Sequence, residues 1–139
     1  MLSRASLGQA SLGLLAGAMF TATAFAQTTI PSPGARFTNV PADAALSYNL
    51  VGLNVYNSAD ENVGEIKDII ISKDKLDGYI LSVGGWLGMG EHYVAVEPSS
   101  VAVGYDAAKG KWAARMNATK DQLKGAPEFK YQGRWKSSS

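Results

Sequence analysis

His92 is the one histidine of this chain and cysteine is absent, so any side-chain chemistry must be built around a single imidazole. A nucleophile activated by a general base needs a Ser, Thr or Cys within hydrogen-bond reach of that base, itself oriented by a third group. His92 alternates with Val94 and Val96, the spacing of one strand face. Glu91 and Tyr93 then project to the other face, which argues against a local dyad. The spacing predicts a wall histidine with its ring nitrogens hydrogen-bonded, and no catalytic residue is assigned.

Metal and anion chemistry is equally thin. Zinc draws on His, Cys and carboxylates to reach four-coordination, and one His without Cys supplies too few soft ligands. Asp60, Glu61 and Asn62 share a polar loop that could meet Ca²⁺, but they lack the ordered alternation and distal Glu of an EF-hand. A solvated turn is expected there. Gly84, Gly85, Gly88 and Gly90 have neither the Lys-Ser or Lys-Thr nor the following helix of a phosphate loop, and read as hairpin geometry. Glu65 and Asp68 stand three apart, on opposite faces of a regular strand. A bulge could bring them together and raise one pKa by repulsion; the favoured reading has Asp68 bonding backbone donors freed by that bulge. No metal and no cofactor is assigned.

Tyr131, Arg134, Trp135 and Lys136 come nearest to a basic stripe with stacking aromatics, but the electrostatic footprint of a nucleic-acid binder is missing. The better candidate contact is Trp86, Leu87 and Met89, since leaving three large apolar side chains in water forgoes roughly 5 kcal/mol. Either that loop folds over a barrel mouth or its tip meets a partner.

The elements that must position these residues are short strands. Val51, Leu53 and Val55 alternate with Gly52 and Asn54 in a first strand beginning at Leu50. Val63, Ile66, Ile69 and Ile71 carry a second, and the step from Ile66 to Ile69 predicts a bulge near Lys67-Asp68. A turn over 74–78 leads to Tyr79, Leu81 and Val83. His92 to Val96 follows, ended by Pro98, then Val101 to Tyr105, a turn over 106–110, and Trp112 to Met116. Thr119 and Gln122 have capping-box spacing for a short helix limited by Pro127. The predicted class is mainly β: a small closed barrel of about six strands with a short C-terminal helix.

The front of the chain differs. Ala5 to Phe25 is nearly free of charge after a weakly basic start, and Ala24-Phe25-Ala26 suits signal-peptidase cleavage after Ala26. Residues 1–26 are read as a signal peptide, 27–48 with Pro31, Pro33 and Pro41 as a flexible linker, 49–131 as the barrel, and 132–139 as a disordered tail. Without Arg4 the chain has 12 basic and 12 acidic residues and no bulk attraction to nucleic acid or anionic lipid. The charges are unevenly placed: ten acidic and three basic residues over 37–106, against eight basic and two acidic over 107–139.

Leu50-Val51-Gly52-Leu53-Asn54-Val55-Tyr56, Val63-Gly64-Glu65-Ile66-Lys67-Asp68-Ile69, Gly84-Gly85-Trp86-Leu87-Gly88-Met89-Gly90-Glu91 and Val94-Ala95-Val96 resemble a PRC-barrel domain. The ending from Asn117 to Lys124, with Pro127-Glu128-Phe129, is similar to the small exported single-domain members of Gram-negative bacteria. The resemblance implies a scaffold that contacts other proteins outside the cytoplasm, although fold alone establishes no activity. The expected function is a non-enzymatic periplasmic interaction module whose partner is another protein or a second copy, with membrane contact ranked behind these. A small ligand- or ion-binding protein is the alternative, and an enzyme using His92 ranks third.

Overall fold

The computed structural model describes residues 29–84 and 90–136. The chain divides into two units, 1–39 and 40–139. In the first, residues 29–39 carry no helix or strand. The proposed signal peptide, the Trp86, Leu87 and Met89 loop and the last three residues lie outside the described residues. Among those described, no helix is long and apolar enough to cross a membrane.

The second unit runs α1 (Ser47–Leu50), β1 (Asn54–Tyr56), β2 (Asn62–Ser72), β3 (Lys75–Val83), β4 (His92–Val96), β5 (Ala102–Asp106), β6 (Lys111–Arg115) and α2 (Lys120–Lys124). Single 3₁₀ turns occupy Pro98–Ser100 and Gly133–Trp135. The six strands form one sheet in the order β4-β3-β2-β1-β6-β5, with β1 and β6 parallel and all other neighbours antiparallel. The class is mainly β, as the alternation predicted.

The ring itself does not close, because β4 and β5 are the two ends of the ladder. Pro98 starts a 3₁₀ turn that redirects the chain between them, and Phe129 N donates to Tyr93 O at 2.7 Å on the last strand of that end. A C-terminal strap, 127–135, thus takes up bonding capacity that a closed barrel would give to a neighbouring strand.

Three local readings change. Leu50 belongs to α1, and Gly52, at φ 95, swings the chain into a β1 that starts at Asn54. Leu50, Leu53 and Val55 still reach the core, but through this turn, while Val51 is left 47% exposed. The β2–β3 hairpin turns on Lys73 and Asp74, at φ 51 and 66, a pair of left-handed residues whose twist suits a two-residue connection. Gly78 is therefore inside β3, where a Cβ would lie 2.2 Å from Val96 O; only glycine lets β4 approach so closely. Finally, the chain beyond Tyr131 does not fray at once: Trp135 meets Phe129 with ring centroids 5.5 Å apart.

The bulge is where the broken alternation predicts it. Ile66 pairs with Leu81 and Asp68 with Ile80, leaving Lys67 as the extra residue. Skipping one residue keeps both Ile66 and Ile69 on the core side, where Val55, Val63, Tyr79, Leu81, Val83 and Val94 gather. Ile80 is buried as well, yet outside that cluster.

The capping box at α2 is complete. Gln122 N donates to Thr119 Oγ1 at 3.1 Å, and Thr119 N donates to Gln122 Oε1 at 2.8 Å. This seats Leu123 in the core, so Thr119→Ala is expected to lower stability by about 1 kcal/mol in urea unfolding.

Candidate functional site

His92 is half-buried on β4, and its partners come from the chain just beyond α2. Nε2 lies 3.1 Å from Ala126 O, which makes Nε2 the protonated donor, and Nδ1 is 3.9 Å from Glu128 Oε2. The ring thus ties the exit of α2 to the sheet. Glu91 and Tyr93 are indeed engaged elsewhere: Tyr93 Oη donates to Glu91 Oε1 at 2.9 Å, and Ser82 Oγ donates to Glu91 Oε2. The Ser82 bond, then the Tyr93 bond, holds the Glu91 carboxyl below its usual range, and Lys67 adds to this. A depressed carboxyl stabilises the fold above its unfolded pKa, so this link between β3 and β4 weakens as acid protonates it.

Asp68 accepts from Ile69 N at 3.0 Å, the backbone bond expected beside the bulge. Its second oxygen accepts from Tyr131 Oη at 3.2 Å, a partner that the local sequence did not suggest. Tyr131 also makes edge-on contacts with Tyr93 and Phe129, at 5.2 and 5.0 Å. Burial first, then the Asp68 charge, pushes the Tyr131 phenol well above its normal pKa; burial and Glu91 raise that of Tyr93.

A phenol with a raised folded pKa stabilises the native state fully below its unfolded value, and that contribution disappears as pH climbs through the folded value. Alkaline absorbance titration should therefore show Tyr93 and Tyr131 as late-ionising phenols. Above about pH 10, unfolding and late ionisation should come together, and Tyr131→Phe should remove one late tyrosine.

Glu65 and Asp68 are not brought together. Asp68 points to an apolar groove under the strap, whereas Glu65 lines a polar groove of about 540 Å³ with Asn54, Asn62, Ser82, Glu91, Lys120 and Lys124. The capped α2 supplies both lysines. In the Asp60 loop one side-chain oxygen of each residue already has a partner. Asp60 Oδ1 takes Arg115 Nη2 at 3.0 Å, Glu61 Oε1 takes Asn57 Nδ2 at 2.9 Å, and Asn62 Oδ1 takes Gly64 N at 3.0 Å. Among the described residues no group of three His, Cys, Asp or Glu is placed to hold a metal ion.

A six-stranded sheet wrapped on an aliphatic core, with its polar groups tied to its own loops, defines a small β-barrel-type module. The family model of the PRC-barrel domain matches residues 42–123, and the chain belongs to that family. No curated protein matches the chain.

Proposed function

We propose that the protein is a non-enzymatic interaction module of the periplasm, working by contact with another protein. The observation that carries this reading is the destination of its polar side chains. His92, Glu91 and Asp68 each end on a partner within the fold: the Ala126 carbonyl, two hydroxyls, and a backbone amide with the Tyr131 phenol. Groups occupied in this way hold a scaffold in shape. Family membership supports a compact barrel-type module, and the charge-poor stretch ending in Ala24-Phe25-Ala26 supports export by a cleavable leader. The contact itself is placed at Trp86, Leu87 and Met89, three large apolar side chains within four residues of a glycine-rich stretch.

Affinity capture from periplasmic extract tests the contact, with one stoichiometric protein expected and none contradicting it. N-terminal sequencing tests the compartment: Gln27 as first residue supports export and cleavage, Met1 opposes it.

The polar groove favours a second reading, a small ligand bound between Glu65 and Glu91 on the sheet and Lys120 and Lys124 on α2. Both charge signs there suit a zwitterion. A ligand that binds the native state raises its melting temperature by mass action, so a thermal-shift screen separates the readings.

A further inference from the structure

We propose that the polar groove between the sheet and α2 binds a short zwitterionic peptide, its carboxylate on Lys120 and Lys124 and its ammonium on Glu65 and Glu91. This rests on the small-ligand reading of that groove and names the chemistry of the ligand. The groove, about 540 Å³, lies within the range of roughly 300–1,000 Å³ usual for small-molecule sites. Its two walls carry opposite charge and do not neutralise each other: among the described residues no ion pair joins Lys120 or Lys124 to a carboxylate. The Ser82 and Tyr93 bonds hold the Glu91 carboxyl low, and the cation that adds to this is Lys67 rather than a groove lysine. Unlike charges held apart across a cleft suit a ligand that brings both signs, with a charge-assisted bond at each end to fix its direction. A simple anion would face two carboxylates, and a simple cation two lysines.

The fold itself places these groups. Asn54 pairs with Glu65 and Glu65 with Ser82, so the three stand in one cross-strand row on the same face of the sheet. Ser82 Oγ donates to Glu91 Oε2, which brings the second carboxylate to that row. Opposite it, Lys120 and Lys124 are four apart on α2 and share one helix face. Gly84, at φ 76, lets the Lys124 stem lie across the end of β3, since a Cβ there would stand 3.3 Å from Lys124 Cε. The side-chain amides of Asn54 and Asn62 also line the groove. Asn62 Oδ1 accepts from Gly64 N, which leaves its amide hydrogens to donate to a ligand carbonyl. A ligand with opposite charges at its ends and amides between them is a peptide, whereas a free α-amino acid offers no amide to Asn54 and Asn62.

The test is calorimetric titration of the protein, in its natural processing state, with trialanine, N-acetyl-trialanine, trialanine amide and alanine. Trialanine should bind, and blocking either end should weaken binding by at least about tenfold, the loss of one charge-assisted contact. Glu65→Gln and Lys124→Gln, both at exposed positions, should weaken trialanine similarly and leave the melting temperature of the free protein unchanged. Glu65→Gln should also shrink the penalty of N-acetylation, and Lys124→Gln that of amidation, as in a double-mutant cycle. Blocked and free peptides bound alike, or no heat with trialanine, overturns the proposal. Alanine bound as tightly as trialanine overturns it in favour of an amino acid. A melting shift with an uncharged or singly charged ligand, abolished by Lys124→Gln, sinks this inference alone, whereas no shift with any ligand sinks the groove reading with it.

Discussion

Leu81→Ala is expected to destabilise the protein by about 2–5 kcal/mol, the range for deleting a leucine from a core that relaxes only partly. Leu81 is wholly buried in the middle of β3, with Ile66 opposite it on β2 and Val94 opposite it on β4. All three lie at 1% exposure or less, so removing the isobutyl group leaves a void walled by two neighbouring strands. Chains of this size have of order 5–15 kcal/mol to lose, and the melting temperature should drop by roughly 10–25 °C. Urea unfolding with an unchanged slope would confirm a packing effect. A loss below about 1 kcal/mol would mean that β2, β3 and β4 do not interlock as described.

Asn57→Ala is expected to cost about 2–4 kcal/mol for a different reason, the orphaning of buried polar groups. Asn57 is 6% exposed. Its Oδ1 accepts from Ala59 N at 2.9 Å and Glu61 N at 3.0 Å, while its Nδ2 donates to Ala118 O at 3.1 Å and to Glu61 Oε1 at 2.9 Å. One amide thereby closes the β1–β2 turn and fastens it to the segment ahead of α2. Arg115 reinforces it, donating to Asn57 O at 2.9 Å. Asn57→Asp keeps the acceptor but sets a carboxylate oxygen against both Ala118 O and Glu61 Oε1, so it should be no more stable than the alanine variant. Hydrogen exchange at Ala59 and Glu61 should speed up in the alanine variant.

What was legible in the sequence is what neighbours in the chain decide. The skipped residue Lys67 showed as a break in a period of two, and the α2 cap as Thr119 and Gln122 three apart. The apolar faces of β3 and β4 followed from alternation alone. Hidden features depend on residues far apart in the chain. Asn57 opens a run of turn formers, 57–62, and its burial depends on Ala118, 61 positions away. Gly78 looked like the hairpin turn, whereas its role is set by the approach of Val96. The strap cannot be read locally, because Tyr131 reveals its place only through Asp68, 63 positions earlier. Ile80, out of phase with the core face, needed that strap above it to be understood.

The candidate site divides along the same line. That Glu91 and Tyr93 would turn away from His92 follows from strand geometry, and so does the Asp68 bond to backbone beside the bulge. The partners of His92, Ala126 and Glu128, come from a segment beyond α2 that nothing in the β4 sequence announces. The polar groove likewise joins β2 and β3 to α2, more than 35 positions further along the chain.

If the molecule works by surface contact, the ring-nitrogen bond of His92 and the apolar side chain of Trp86 should separate cleanly. The decisive measurement is capture of a protein from periplasmic extract by wild type, His92→Ala and Trp86→Ala, each paired with its unfolding free energy. His92→Ala should lose about 1 kcal/mol with its bond to Ala126 and still recover the partner, whereas Trp86→Ala should stay folded and recover none. Capture abolished by His92→Ala at wild-type stability, and preserved by Trp86→Ala, would contradict the reading of this fold as an inert scaffold.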